Sequence, residues 1–152
     1  MQKAKENPPR LPPTGIYKKD SLSYEDIMGA VLKTSKDSTG VIASCVGLVR
    51  SSGFAGRKIT EFVIKTDPKY TDKALRRLCG EVKKKFGLQL AVIYRYEGSF
   101  RVGEILGMVV VAGSVRPETF SALDELVSRF NPECHIRRRE IYKDGESEWI
   151  EK

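Results

Sequence analysis

Apolar residues recur at helical spacing in three segments of the chain. These stripes are Ile27, Ala30 and Val31; Leu75, Leu78, Val82 and Phe86; and Phe120, Leu123, Val127 and Phe130. Steps of three and four residues place each set on one face of a helix. Ser23 and Thr71 are suitable N-terminal caps, and Pro117 suits the first turn of the third helix. Gly87 and the Asn131–Pro132 pair are typical helix ends. The pattern therefore predicts three amphipathic helices.

Runs of strand length, either apolar or alternating, lie between and after these helices. They are Val41–Arg50, Ile59–Lys65, Leu90–Tyr96, Glu104–Val115, His135–Lys143 and Glu146–Glu151. The resulting order, α-β-β-α-β-β-α-β-β, is typical of an α+β domain. We expect a mostly antiparallel sheet with the helices on one face.

The first twenty residues follow neither pattern. They combine Pro8, Pro9, Pro12 and Pro13 with charged residues, so this segment cannot bury enough apolar area to offset the entropy of ordering it. The sequence predicts a flexible, basic tail at residues 1–20 and a single domain at residues 21–152, a length that suits one domain.

Charge and cysteine content narrow the class of protein. The net charge of +7 is modest and fits an anionic partner, whether a phosphorylated small molecule, an acidic protein face or a nucleic acid. No apolar run has the length of a membrane span or a secretory signal, so we expect a cytoplasmic protein. Cys45, Cys79 and Cys134 are too far apart to predict a disulfide framework, and His135 is the only histidine. We therefore predict neither a metal site nor a cofactor.

Four stretches, in order, resemble the large subunit of molybdopterin synthase. GVIASCVGLVR at Gly40–Arg50 is similar to the family's GAVVxFxGxVR strand, and YTDKAL at Tyr70–Leu75 is similar to the segment that enters its long helix. VIYRYEGSFRVG at Val92–Gly103 resembles VxIxHRxGxLxxGD with one inserted residue. Within Ala112–Trp149, AGSVRPETF, HIRRRE and DGESEW stand where the family has SAHRxxAF, PxWKKE and DGxxW.

The resemblance implies a sulfurtransferase of molybdenum or tungsten cofactor biosynthesis. In that family the large subunit is a homodimer, and each copy binds a ubiquitin-like small subunit, which gives a heterotetramer. The C-terminal Gly-Gly tail of the small subunit carries a thiocarboxylate. Its sulfur passes to a cyclic pyranopterin monophosphate.

The resemblance also implies a substrate-binding set. Arg50 and Arg116 stand on family arginines that hold the substrate phosphate, for which a guanidinium offers paired donors. Val115 replaces the histidine beside the second of these arginines. Arg139 and Glu140 complete the predicted set, with Glu140 placed to hold a neighbouring arginine.

Two predicted catalytic positions depart from the family. Arg138 and Asn131 stand where the family has its catalytic lysines. Arginine does not readily lose its proton, so Arg138 can neutralise a phosphate or an oxyanion but cannot form the amine adducts open to lysine. Strand alternation predicts that Arg138 points away from Arg137 and Arg139. We expect Arg50, Arg116 and Arg138 to gather around one phosphorylated pterin.

Four alternatives stay open at this point. Asn131 fits a simple helix stop, and Cys45, which replaces an apolar and often aromatic residue of the family strand, fits a buried and inert thiol. Loss of both lysines also fits a paralogue that binds a pterin phosphate or a ubiquitin-like tail without turnover. A basic nucleic-acid-binding module is a weaker alternative, because the chain has neither an aromatic RNA-binding motif nor zinc-finger spacing.

Overall fold

A computed structural model of the protein describes residues 10–150. The helices are α1 (Tyr24–Thr34), α2 (Thr71–Phe86) and α3 (Arg116–Glu133). The strands are β1 (Gly15–Lys18), β2 (Val41–Leu48), β3 (Ile59–Lys65), β4 (Leu90–Phe100), β5 (Ile105–Gly113), β6 (Arg137–Tyr142) and β7 (Ser147–Ile150). This content confirms the predicted α+β class. Between residues 10 and 150, no helix is long and apolar enough to cross a membrane.

The strands form one sheet in the order β2-β5-β4-β3-β6-β7, and all of these pairs are antiparallel. Strand β1 pairs with β4 in parallel. One row of the register matters for the site: Gly47 of β2 is paired with Gly107 of β5, and Gly107 is paired with Arg95 of β4. These three residues therefore lie side by side across three strands.

Helices cover both faces of the sheet. Helices α2 and α3 bury Leu75 and Leu126 against a cluster that includes Ile93. Helix α1 packs Ile27 and Val31 onto the opposite face, in a separate cluster with strand residues such as Val92 and Val110. The expectation that all helices cover one face is therefore wrong for α1. The reason is visible in β4 and β5, whose nearly continuous apolar runs must be buried on both sides.

Part of the segment predicted to be a flexible tail, residues 1–20, forms a strand. Gly15–Lys18 forms β1, and the expectation of a flexible segment is wrong there. The Ile16 amide donates to Asp72 Oδ1 at 2.7 Å, the Thr14 hydroxyl accepts from the Ile93 amide at 3.2 Å, and the Tyr94 hydroxyl donates to the Pro12 carbonyl at 2.8 Å. Residues 1–9 of the predicted tail lie outside the described residues.

Two of the predicted helix ends are confirmed. Ser23 caps α1 by accepting a hydrogen bond from the Asp26 amide at 3.2 Å. Gly87 ends α2 with φ 63°, a left-handed conformation that glycine adopts without steric cost.

Two other helix boundaries differ from the prediction. Tyr70, rather than Thr71, occupies the N-cap of α2, because the Thr71 hydroxyl accepts from the Asp67 amide at 3.0 Å instead. Helix α3 continues through Asn131–Pro132 to Glu133. A proline this close to the C-terminus removes only one helical hydrogen bond, so the helix tolerates it for its last turn.

Candidate functional site

A cavity of about 190 Å³ lies between α3 and the sheet face formed by β2, β5 and β4. Most of its lining is apolar. The lining residues are Ile93, Tyr94, Gly47, Gly107, Met108, Val109, Val127 and Phe130, together with Cys45, Arg95 and Asn131. The last three bring the thiol, the charge and the amide that give the cavity its chemistry.

Arg95 enters the cavity because two glycines leave room for it. A Cβ added at Gly107 would lie 3.3 Å from Arg95 Cδ, and one added at Gly47 would lie 3.8 Å from Arg95 Nη1. The side chain thus extends from β4 across β5 toward β2. Gly107 also has φ 151°, a conformation that other residues rarely adopt. The glycine row therefore positions the guanidinium.

The Arg95 guanidinium is buried without a carboxylate. Arg95 is 6% exposed, and among residues 10–150 it has no ion pair and its Nε has no hydrogen-bond partner. Its Cζ lies 5.1 Å from the centre of the Phe130 ring. Burial, with a smaller contribution from the charge of Arg138, lowers the pKa of Arg95 to about 9. A buried cation without a counter-charge is costly, and groups with strongly shifted pKa values cluster at functional sites.

Asn131 is part of the cavity as well as of the helix end. It lies one turn beyond Val127 on α3, and both residues line the cavity. Its Oδ1 is buried and has no hydrogen-bond partner in the described part of the chain. Helix α3 ends at Glu133, two residues after Asn131, so Asn131 lies in its last turn, and its side chain also lines the cavity.

Cys45 differs from the buried thiol that the sequence favours. It is partly exposed and lines the cavity from β2, two residues before Gly47. Its side chain shares the face of β2 occupied by Ala43, which is the face covered by α2 and α3. The structure therefore corrects the expected burial of Cys45.

Arg138 lies near Arg95. It is half-buried on β6, paired with Ile64 of β3 and Ile150 of β7. Burial lowers the pKa of Arg138, although the nearby Glu140 carboxylate acts in the opposite direction. The charge of Arg138 also contributes to the lowered pKa of Arg95, so the two positive charges repel each other.

The alternation expected for β6 is confirmed. Arg138 is on the face of Ile64, which is buried, whereas Arg137 and Arg139 are on the face of Trp149. Arg139 donates to the Ser147 hydroxyl at 2.6 Å through Nη2, and its Cζ lies 5.7 Å from the Trp149 ring. Arg139 therefore lies on the sheet face opposite Arg138.

Glu140 is buried, with 5% exposure, on the same face as Arg138. A Cβ added at Gly53 would collide with its carboxylate, so the loop after β2 packs closely against Glu140. Its charge raises the pKa of Arg138. That Glu140 holds a neighbouring arginine by an ion pair stays a prediction.

The remaining predicted residues lie away from the cavity lining. Arg50 is exposed two residues beyond the end of β2. Arg116 is the exposed first residue of α3, and Val115, 53% exposed, precedes it. Fifteen residues separate Arg116 from Asn131 on this helix, which is about 22 Å along the axis. Within one chain, Arg116 therefore does not join Asn131 and Arg138 in a shared cavity.

A wider cleft of about 420 Å³ borders the other side of Asn131. Its lining includes His135, Arg137 and Trp149. The His135 ring stacks on Tyr70 with ring centres 4.1 Å apart, and Arg137 Cζ lies 4.3 Å from the Trp149 ring. This cleft is both basic and aromatic.

Arg95 is the site residue that the sequence interpretation missed. The signal was a charged residue inside the apolar run VIYRY, at the arginine of the HRxG-like motif. A charged side chain in a strand buried on both faces needs a partner or a ligand.

Comparison with known proteins identifies the family. The model of the MoaE protein family matches residues 17–131. The curated molybdopterin synthase catalytic subunit of Aspergillus niger is 24% identical over 131 residues, which cover 85% of this chain and 72% of that protein. The subunit of the same name from Aspergillus fumigatus is 25% identical over 122 residues, which cover 80% of this chain and 64% of that protein.

Solved structures share the fold. Molybdopterin synthase from Staphylococcus aureus superposes with a TM-score of 0.78 at 18% identity and covers 93% of this chain and 98% of that chain. A Helicobacter pylori structure, described as a complex of subunits 1 and 2 of molybdopterin-converting factor, has a TM-score of 0.69 at 13% identity, with 90% and 89% coverage. Because the family model spans well over half of the chain, this protein belongs to the MoaE family, as a divergent member.

Proposed function

We propose that this protein is the large subunit of a molybdopterin synthase. It would bind a small ubiquitin-like subunit through a C-terminal Gly-Gly thiocarboxylate and transfer the sulfur to cyclic pyranopterin monophosphate. Family membership supports the proposal. The observation that carries it is the buried guanidinium of Arg95, which lines the cavity together with Asn131 and has no ion pair among residues 10–150.

The charge and size of the cavity and of the cleft suggest which ligand each one binds, the thiocarboxylate tail or the pterin phosphate. Both a thiocarboxylate and a phosphate are anions, and a buried guanidinium interacts with an anion more strongly than an exposed one does. Pockets for compact organic ligands usually measure about 300–1,000 Å³. The cavity of about 190 Å³ is smaller and suits a slender glycine tail. The cleft of about 420 Å³, with Trp149 and His135, suits the planar pterin.

A complete site of this kind needs two copies of the chain if Arg116 contributes to it. Arg116 is about 22 Å from Asn131 along α3, so only a second chain would bring it to the same ligand. We therefore propose a homodimer within a heterotetramer. The Helicobacter pylori structure, described as a complex of two subunits, supports a small-subunit partner.

The chemistry would depend on electrostatics rather than on a lysine amine. Arg138 is able to neutralise a phosphate or a tetrahedral oxyanion, and Arg95 is able to do the same from within the cavity. Neither guanidinium serves as a nucleophile.

An assay with purified full-length protein tests the proposal. The protein is mixed with a thiocarboxylated small subunit and cyclic pyranopterin monophosphate, and the dithiolene product is measured. We expect product from the wild type, and a rate about a hundredfold lower for Arg95→Gln, as for removal of a transition-state donor elsewhere. Arg77→Gln, an exposed arginine on α2, is the matched control. A folded wild-type protein that forms no product contradicts the proposal.

The replacement of both lysines favours one second candidate, a paralogue that binds the tail without turnover. In the same assay this protein would bind the thiocarboxylated subunit and yield no product. Arg138→Lys combined with Asn131→Lys would then be expected to restore product, because a lysine can act as a base or nucleophile when its pKa is lowered by burial.

A further inference from the structure

We propose that Cys45 accepts the acyl group of the small subunit's C-terminal thiocarboxylate as a thioester inside the cavity. This inference rests on the proposed function, because it takes the thiocarboxylate tail as the ligand. It assigns to Cys45 the covalent role that neither Arg138 nor Asn131 is able to fill.

The position of Cys45 supports this role. It lines the same small cavity as Arg95 and Asn131, and it is partly exposed. Gly47, two residues along the same strand face, lies next to the Arg95 guanidinium, so the thiol and the cation enter the cavity from neighbouring positions. A tail that ends at Arg95 therefore has its terminal carbon near the Cys45 sulfur.

Arg95 is the second observation that points to a ligand here. It is 6% exposed, it lines the cavity, and its Nε has no hydrogen-bond partner among residues 10–150. Asn131 Oδ1 is similarly buried and unpartnered in that range. Two buried polar groups that lack partners in one cavity indicate that a polar ligand completes their hydrogen bonding.

The other two cysteines are unsuited to this chemistry. Cys79 is 5% exposed and Cys134 is 1% exposed. Burial raises the pKa of each thiol to about 11, so only about one molecule in ten thousand carries the thiolate at pH 7. Cys45 is thus the cysteine with access to a ligand.

The proposed step exchanges one carbon–sulfur bond for another. The Cys45 sulfur attacks the carbonyl carbon of the thiocarboxylate, and Arg95 stabilises the negative charge of the tetrahedral intermediate. The bond between that carbon and the thiocarboxylate sulfur then breaks. The thiol proton leaves with the departing sulfur, so a thiol and a thiocarboxylate become a thioester and hydrosulfide, with no change in oxidation state.

The products match the needs of sulfur transfer. Hydrosulfide is released beside the cleft that Asn131 borders, where it is able to attack the pterin. Water then hydrolyses the thioester, which returns the Cys45 thiol and leaves the tail as a carboxylate. A cysteine needs less activation than other side chains for such a step, because its sulfur is intrinsically a strong nucleophile.

The test uses the full chain and a synthetic peptide that ends in a Gly-Gly thiocarboxylate. We expect intact-mass spectrometry to show an adduct of the peptide mass less hydrogen sulfide, located at Cys45 by fragmentation and removed by neutral hydroxylamine. Cys45→Ala should give no adduct. Arg95→Gln should form it about a hundredfold more slowly, and Arg95→Lys should recover part of the rate.

Controls separate this step from general thiol reactivity and from misfolding. Cys79→Ala and Cys134→Ala should form the adduct at the wild-type rate, and circular dichroism should show that every variant is folded. No adduct on folded wild-type protein, or an adduct that persists in Cys45→Ala, overturns the inference.

A second measurement distinguishes the inference from the proposed function. If folded Cys45→Ala forms the dithiolene product at the wild-type rate, the thioester step is wrong and the synthase activity stands. If the wild type forms the adduct and Cys45→Ala loses at least tenfold in product formation, both are supported.

Discussion

At the scale of single residues, the site depends on the space left by two glycines, which have no side chain. Gly47 and Gly107 lie in one row with Arg95, and the space that their side chains would fill is occupied by the arginine. A Cβ at Gly107 would collide with the Tyr94 carbonyl oxygen and lie 3.0 Å from Arg95 Cα. The guanidinium is therefore held by backbone geometry rather than by an ion pair.

Gly107→Ala should destabilise the protein by about 3 kcal/mol or more, because it adds both a backbone collision and an unfavourable φ of 151°. Gly80→Ala is the matched control, since an added Cβ there meets nothing within 4 Å and Gly80 lies in α2. That control should gain about 0.5–1 kcal/mol from higher helix propensity. Denaturant unfolding measures both changes, and equal effects would contradict this account of the glycine row.

At the scale of elements, Arg129 links α2 and α3, the two helices that pack on the same face of the sheet. Arg129 of α3 forms ion pairs with Glu81 of α2 at 3.0 Å and, within α3, with Glu125 at 3.1 Å and Glu133 at 2.6 Å. Lys85 of α2 bonds Glu125 in turn at 2.5 Å. A connected set of ion pairs contributes more than isolated surface pairs do, although partial exposure limits each contact.

Arg129→Gln should lower the free energy of unfolding by about 1 kcal/mol at pH 7. Hydrogen bonds from Lys85 and from Arg129 lower the pKa values of Glu125 and Glu133, respectively, in the folded state. Their contribution is thus complete above the unfolded pKa of about 4.3 and is lost as the pH falls through the lower folded values.

As the pH falls below 5, the free energy of unfolding should therefore decrease less in Arg129→Gln than in the wild type. Denaturant unfolding at several pH values measures this difference. Lys84→Gln on α2 serves as the control, because Lys84 is exposed and forms no ion pair with the residues that the structure describes. An identical pH dependence in the wild type and Arg129→Gln would disprove the linkage.

Elements that depend on contacts within a few residues could be predicted from the sequence, whereas those that depend on distant contacts could not. The helices follow from three- and four-residue spacing, and Ser23 and Gly87 mark their ends through contacts within a few residues. Strand β1 was missed because its partners are distant: Tyr94 pairs with Gly15, and Asp72 accepts from the Ile16 amide. The four prolines in residues 1–20 favoured the prediction of a flexible tail, whereas β1 is stabilised by tertiary contacts.

At the scale of the whole molecule, the predicted site residues fall into separate regions. Asn131 and Arg138 lie near Arg95, whereas Arg116 is at the far end of α3. The sequence predicted Asn131 and Arg138 through motif positions that are seven residues apart. The apolar run VIYRY around Arg95 marks that residue as unusual, but its place in the cavity depends on the register of three strands and on the approach of α3, which the sequence does not give.

The proposed homodimer predicts complementation between two inactive variants. Arg116→Glu and Arg95→Gln should each lose synthase activity. If each site takes Arg95 from one chain and Arg116 from the other, a dimer of one variant with the other combines both changes in one site and neither change in the second site. Mixed dimers would then hold one intact site. Random reassociation should restore about a quarter of wild-type activity, since half of the dimers are mixed and half of their sites are intact.

Product formation after joint refolding of the two variants measures this recovery. Refolding each variant alone provides the control. Full activity of Arg116→Glu by itself, or a mixture no more active than its parts, would show that Arg116 plays no part across chains.

Trp149 has a practical consequence for every binding experiment on this protein. It is the only tryptophan in the chain, it is 36% exposed, and it borders the basic aromatic cleft. Arg137, Arg139 and Lys65 lie 4.3, 5.7 and 5.9 Å from its ring. An anion that binds these cations changes the electric field across the indole, so its emission should shift as the cleft fills. The molecule thus carries its own optical reporter, and ligand titrations need no added label.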